Sequence, residues 1–431
     1  MKHLLNKNPK QAIFDMVCIL FAVSILYRFV LMLLTPYAYE SWQVSEILIN
    51  YQSGFVRRGL LGEILFFFVK RFNFNIEWAV KIFCTACFIV CCIFFVRLFM
   101  KRNYSLHILA LCFFLSGIVL SDYWIRKDYL FFCIFIPMLW FGRNQHLSLP
   151  IKLIAINLLS VFIILSHEVF SFFALPVLFL LFFEHYKNKG IIRSFILSSL
   201  CLLPSIFAFF LTFIFHGDSD TAHAIWDSWT GYIHQETPDI GKSVSAIGWT
   251  SGYAIKRHIH FNFLNQDQGI FSSMVWIIII TVVYYISTNA LLVFREDKSV
   301  FSDQHKTVLS SVLIFQFLCL SPVFLILSCD YIRVIFYWIA SSFAIFLIIP
   351  MVTIEALTPI FFRTIVERIN QKLTSILPPS KTVLVFLMLF IGIADQPSFV
   401  EKAYLSSMLY NILFIVSQPF ILLKDYLMGF L

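Results

Sequence analysis

Residues 76–100 read IEWAVKIFCTACFIVCCIFFVRLFM, with Glu77, Lys81 and Arg97 the only charges among them. At about 1.5 Å of rise per residue a helix of this length crosses the roughly 30 Å hydrocarbon core of a bilayer. The stretch therefore reads as a membrane span, and similar apolar runs fall on both sides of it. They lie at 12–34, 104–120, 129–141, 151–166, 169–183, 191–215, 270–294, 308–328, 334–357, 383–393 and 409–423. The expectation is an all-α polytopic bundle of about eleven or twelve spans in a single domain, residues 1–431. Composition agrees: of 431 residues 60% are hydrophobic and 13% charged, and mean hydropathy is +0.85. Such a chain is not a soluble globular protein.

The net charge of +8 raises nucleic acid as a partner, but the basic residues lie between apolar runs and follow topology instead. No nucleic-acid partner is expected. Of the ten cysteines, nine fall inside apolar runs and read as small buried hydrophobes, with only Cys329 near a surface. The basic N-terminus, 1–10, precedes a run long enough to span, so it reads as a retained first span.

Lys and Arg set the orientation. Lys2, Lys7, Lys10, Arg97, Lys101, Arg102, Arg143, Lys152, Lys187, Lys189, Arg193, Arg295, Lys298, Lys306, Arg363, Arg368, Lys372 and Lys381 fall in alternate connections. These connections are assigned to the cytoplasm, with the N-terminus. Two segments on the other, periplasmic side are long: a first loop at 35–75 with membrane-surface helices, and a second at 216–268.

Within the first loop, Tyr51-Gln-Ser-Gly-Phe-Val-Arg-Arg-Gly-Leu-Leu-Gly-Glu63 places Arg57 and Arg58 beside Gly54, Gly59 and Gly62, at the start of a short apolar helix. Unpaired amides and the positive end of a helix dipole favour a phosphate there, and Arg adds bidentate hydrogen bonds. The alternative is a pair of headgroup anchors, with Glu63 complementing the first helical turn.

Other charges fall on the same side at the very edges of spans. They are Glu40 and Glu46 in the first loop; Asp122, Arg126, Lys127 and Asp128 in the short connection after the run at 104–120; His167 and Glu168; and Asp330 with Arg333. A charge inside a bilayer costs about 2.5 kcal/mol or more, so such residues are paired or functional. They predict one shared polar site. Asp122 with Arg126, and Asp330 with Arg333, are also at helix-pair spacing. In the long loop Trp226, Trp229, Tyr232, Trp249 and Tyr253 suit sugar stacking or an interfacial belt equally well. His216, Asp218, Asp220 and His223, or His258 with His260, fit no metal template; the sequence calls for no cofactor and does not support a divalent metal.

Arginines for a phosphorylated group, carboxylates or imidazole for proton transfer and a place beside lipid meet the needs of transfer from a polyprenyl-phosphate sugar. In size, span number and outer-face site the chain resembles the integral-membrane glycosyltransferases of the GT-C type and the O-antigen polymerases of bacterial surface-polysaccharide assembly. The GT-C layout implies an acid in the first outer loop, here Glu40 or Glu46, followed by membrane-surface helices; the adjacent acidic pair common in that loop is absent. The polymerase resemblance implies a reliance on arginines such as Arg57, Arg58, Arg126 and Arg333.

Both resemblances imply an inner-membrane glycosyltransferase with a polyprenyl-(pyro)phosphate donor, a polysaccharide or lipid-linked glycan acceptor, and surrounding membrane lipid. On this reading Arg57, Arg58, Arg126, Lys127 and Arg333, with Asp122 and Asp330, bind substrate. Glu40, Asp128, His167 and Glu168 are the candidate catalytic groups. A flippase or other transporter of lipid-linked oligosaccharide, and an acyltransferase built on His167, are the alternatives.

Overall fold

The computed structural model describes residues 36–104, 106–110, 125–233, 240–260, 269–293, 303–328 and 330–392, with Phe114 and scattered positions of 12–34. Asp122, Cys329 and the run at 409–423 lie outside the described residues. Within them the fold is all-α. After the helical positions of 12–34 come α1 (Trp42–Ile47), α2 (Gly59–Phe72), α3 (Ile76–Lys101), α4 (Asp128–Arg143), α5 (Leu149–Ser166) and α6 (Phe170–Tyr186). Next come α7 (Ile191–Cys201), α8 (Leu203–Ile214), α9 (Ser219–Asp227), α10 (Lys242–Ser245) and α11 (Ser251–Ile259). The last six are α12 (Gly269–Val293), α13 (Asp303–Pro322), α14 (Tyr331–Ile348), α15 (Met351–Leu357), α16 (Ile360–Ile376) and α17 (Lys381–Gly392).

Among the described residues, five helical segments are long and apolar enough to cross a membrane: Ile76–Lys101, Leu149–Ser166, Phe170–Lys189, Asp303–Leu327 and Tyr331–Ile348. The run at 191–215 is no straight span. It divides into α7 and α8, bent by 62°, because Pro204 occupies the first turn of α8 and cannot continue the preceding helix. Asn157 makes the break tolerable in an apolar setting. Its Nδ2 donates to the Cys201 carbonyl at 2.8 Å, and its Oδ1 accepts from Ser205 Oγ at 2.7 Å. The run at 334–357 likewise ends as a helix at Ile348, ahead of Pro350, and resumes as the short α15.

Helix α14 is the axis of the bundle: all of its residues are buried. It packs along α13, α4, α6 and α3. Aromatic side chains fill the layers around it, with Phe132, Phe173, Phe336 and Tyr337 in edge or stacked contacts. At its C-terminus Arg143 donates to the Ile348 carbonyl at 2.7 Å and Arg102 to that of Leu347 at 3.2 Å. Cations there satisfy orphan carbonyls and oppose the helix dipole. The N-terminus of α14 faces the opposite end of the bundle, where the two long connections fold together.

The connection at 35–75 contains α1 and α2, and the one at 216–268 contains α9, α10 and α11. They interlock through long-range bonds: Trp229 Nε1 to the Leu48 carbonyl at 2.8 Å, Lys242 N to the Glu40 carbonyl at 2.9 Å, and Ser243 N to Ser45 Oγ at 3.0 Å. Of the three glycines in the first connection, Gly54 sits at φ +99° and makes the turn. The other two serve close approach of the chain to itself and not to a ligand. A Cβ on Gly62 would stand 1.9 Å from the Ile49 carbonyl oxygen, and one on Gly59 2.3 Å from the Tyr51 ring. Gly62→Ala is therefore expected to destabilise the protein by about 1–3 kcal/mol, as overpacking against backbone does. Thermal unfolding of the detergent-solubilised variant checks this; an unchanged midpoint contradicts it.

Candidate functional site

The polar site lies at the bundle end marked by the N-termini of α4, α6 and α14 and the C-terminus of α5. Its hub is Glu46. Ser41 caps α1, its Oγ accepting from Val44 N at 3.4 Å, and Val44 and Ile47 turn into the core. Glu46 shares that inward register, which leaves its carboxylate 2% exposed. It accepts from His167 Nε2 at 2.9 Å and lies 3.4 Å from Arg126, 3.6 Å from Arg333 and 4.0 Å from Arg58. Three guanidiniums and an imidazole from four separate segments thus converge on one carboxylate.

Each remaining acid is also paired. Asp128, at the first position of α4, takes a bidentate pair from Arg333, Nε at 2.9 Å and Nη2 at 2.8 Å, and a hydrogen bond from the Tyr337 hydroxyl. Glu168, in the tight α5–α6 turn, takes Nε of Arg58 at 2.9 Å and Nη2 at 2.5 Å. Asp330 lies 3.3 Å from Arg333 and 3.5 Å from Arg126. Lys127 bonds to backbone instead, donating to the carbonyls of Arg58 and Ser166 at 3.0 Å each. It joins the start of α2 to the end of α5.

Arg58 has φ 65°. The other two described non-glycine residues with positive φ are asparagines, Asn73 and Asn103, which tolerate that region. A long cationic side chain there is unusual; the Glu168 fork and the Lys127 bond to its carbonyl hold it. Arg57 differs from the other guanidiniums of the cluster, each of which pairs with a carboxylate. Its Nη2 donates to the Ala246 carbonyl at 3.3 Å, while its Nε is buried with no hydrogen-bond partner. Among the described residues it forms no ion pair. Four carboxylates face five cations; Arg57 and Lys127 pair with none of them, and since Lys127 is held by two backbone carbonyls, Arg57 is the surplus guanidinium.

These arrangements fix protonation. Burial by itself would raise the Glu46 carboxyl, but Arg333, the His167 hydrogen bond and Arg126 overcome it and hold the group well below the carboxylate range. Glu168 is depressed in the same way, chiefly by Arg58 acting against burial. Burial and then Arg58 push His167 below its ordinary value, against the pull of Glu46 and Glu168. Its hydrogen bonds match a neutral ring: Nε2 donates to Glu46, and Nδ1 accepts from Val169 N at 3.3 Å. Burial brings Lys127 down to about 8.

The linkage runs one way for all three acidic-side groups. The unfolded chain protonates histidine near 6.5, before the folded protein does, so stability falls as pH drops below that value. The contribution of Glu46 and Glu168 is present above their ordinary 4.5 and is lost as pH falls from there through the folded values. Thermal unfolding between pH 7.5 and 4 is expected to show both limbs, and His167→Gln to remove the upper one. A wild-type midpoint that stays flat from pH 7 to 5 contradicts this.

The edge-of-span charges of the sequence thus come together: Arg58, Arg126, Lys127, Asp128, His167, Glu168, Asp330 and Arg333 form one network, with Arg57 next to Arg58 at its edge. Two expectations are corrected. Glu40 stands at the turn before α1 and, among the described residues, enters none of these ion pairs; Glu46, six residues on and facing inward, takes its place. Asp128 is fully buried and saturated by Arg333 and Tyr337, so its oxygens hold α4 to α14 and are not offered to a substrate. Tyr337 and the Ser166 carbonyl were not singled out by sequence, since both lie inside apolar runs.

In the long connection Trp226 and Trp229 are buried structural residues, whereas Tyr253 is exposed beside Trp249. Among the described residues no group of three or more His, Cys, Asp or Glu is placed to hold a metal ion. The acids of the cluster are bound to guanidiniums. Comparison with protein-family models, with characterised proteins and with solved structures gives no match.

Proposed function

We propose that the chain transfers a sugar or oligosaccharide from a polyprenyl-(pyro)phosphate donor to a surface-polysaccharide acceptor, at the periplasmic face of a bacterial inner membrane. The observation that carries this reading is Arg57, a surplus guanidinium with an orphan Nε at the edge of an otherwise neutralised cluster, in a bundle of lipid-length apolar helices. A buried donor without a partner costs about 1–3 kcal/mol, and a phosphate oxygen supplies what it lacks. The start of α2 lies immediately after it and adds its positive dipole end.

The chemistry follows from what is left available. Arg58 divides its guanidinium between Glu168 and the incoming phosphate; as the phosphate takes its share, Glu168 becomes more basic. Glu168 then removes the acceptor hydroxyl proton, the oxygen attacks the anomeric carbon, and the bond from that carbon to phosphate oxygen breaks. The electron pair leaves with the phosphate, whose growing charge Arg57 and Arg58 neutralise.

The broken α7–α8 pair is the feature that a transporter reading would use. Its apolar side chains, Ile191, Phe195, Phe207 and Ile214 among them, are exposed on the outside of the bundle, which suits lipid contact better than a central path. The test is the electrophoretic ladder of the host's surface polysaccharide in a deletion strain complemented with wild type or Arg57→Ala. Ladder restored by wild type alone supports transfer. Restoration by both contradicts it, and lipid-linked units trapped on the cytoplasmic face mean a flippase.

A further inference from the structure

Three aromatic rings and a guanidinium meet where the two long connections interlock, outside every apolar run. Trp42 opens α1, one helical turn before Glu46. Its ring lies edge-on to that of Trp249 with centres 5.9 Å apart, and Trp249 lies edge-on to Tyr253 at 5.4 Å. Arg257 follows Tyr253 by one turn of α11. Its guanidinium carbon is 4.6 Å from the centre of the Trp249 ring, and its Nη1 donates to the Tyr253 hydroxyl at 3.2 Å. Among the described residues Arg257 pairs with no carboxylate. Trp42, Tyr253 and Arg257 are exposed and Trp249 is half-buried.

A membrane-interface belt is the other use of such rings, and α11 itself decides between the two. The helix packs on the Val323–Leu327 segment, at the end of a span. Ile255 and Ile259 are exposed on it. They stand two residues beyond Tyr253 and Arg257, about 200° round the helix. Only one of these opposed faces can rest on lipid. The isoleucine face is the apolar one, which turns Tyr253 and Arg257 to the water.

The rings are also continuous with the polar site. The Ala246 carbonyl accepts from Arg57 Nη2 and from Trp249 N, both at 3.3 Å. One oxygen thus joins the guanidinium given to the donor phosphate to the start of the aromatic group. The geometry points to a glycan platform. Trp42, Trp249 and Tyr253 take the C–H faces of sugar rings, and Arg257 donates to their hydroxyls. The occupant is the acceptor oligosaccharide, its reacting end toward Arg57. This assignment rests on the glycosyl-transfer reading, although binding itself needs no donor.

The test is saturation-transfer NMR on the full chain in phosphatidylcholine nanodiscs, with oligosaccharide repeat units cut from the host's surface polysaccharide as the probe and no lipid-linked donor present. Wild type is expected to bind them. Tyr253→Ala and Trp42→Ala are expected to bind about fivefold more weakly, Tyr253→Phe, which keeps the ring, close to wild type, and Ile259→Ala unchanged. No binding by wild type, or equal binding by Tyr253→Ala, overturns the platform. Oligosaccharide binding by a protein that does not retain polyprenyl phosphate keeps the platform and removes the donor reading; retention of polyprenyl phosphate without oligosaccharide binding overturns the platform alone. A second measurement needs no loss of affinity. Ile259→p-benzoylphenylalanine is expected to photocross-link to phospholipid and Tyr253→p-benzoylphenylalanine to the oligosaccharide; a phospholipid cross-link from position 253 makes these rings an interfacial belt and overturns the proposal.

Discussion

Glu46→Ala is expected to lower stability by about 3–5 kcal/mol, the loss typical when one partner of a buried ion network is removed. The reason lies in the geometry. With the carboxylate gone, Arg126 and Arg333, both nearly fully buried, keep Asp128 and Asp330 as the acids beside them among the described residues, and the His167 Nε2 proton loses its acceptor. Glu46→Gln keeps the volume and one acceptor oxygen for His167, but not the charge, and falls between wild type and alanine. Glu40→Ala is the control, since that side chain enters none of these pairs; its effect is expected within about 0.5 kcal/mol. Thermal unfolding in detergent orders the three, and equal losses for Glu40→Ala and Glu46→Ala would remove Glu46 from the hub.

The second large effect is on activity without stability. Arg57→Ala is expected to reduce glycosyl transfer by about 10²-fold or more, the usual result of deleting a group that stabilises charge developing in the transition state. Because Arg57 balances no carboxylate among the described residues, and its Nε has no partner to leave orphaned, the variant is expected to fold and insert as wild type does. Arg58→Ala behaves differently. It exposes Glu168 as an unpaired carboxylate and so lowers both activity and stability. Comparison of the two variants separates a residue that waits for a ligand from one already committed to the fold. Full transfer by Arg57→Ala would refute the role given to it.

The helical class was legible in the sequence because apolar length is a sufficient signal: the run at 76–100 became α3 almost residue for residue. Hydropathy failed where an apolar run contains a proline at a helix start, since Pro204 and Pro350 interrupt backbone bonding without interrupting hydrophobicity. The convergence of His167, Glu168, Arg57, Arg58, Arg126, Asp128, Asp330 and Arg333 was legible from charges at span edges. Their pairing was not. The bond from Arg333 to Asp128 joins positions 205 apart, and no local pattern encodes which base meets which acid. The preference for Glu40 over Glu46 was a missed register: Glu46 stands among Val44, Ile47, Leu48 and Ile49, all buried, and an acid on the apolar face of a short helix was the available sign of a hub.

Binding of a polyprenyl phosphate to the purified protein in phosphatidylcholine nanodiscs decides whether Arg57 takes the phosphate of a lipid-linked donor. Wild type is expected to retain the labelled lipid, and Arg57→Ala to bind it about 10-fold or more weakly, as loss of one charged hydrogen-bonding group implies, while unfolding at the wild-type midpoint. Equal retention by wild type and Arg57→Ala would contradict the account.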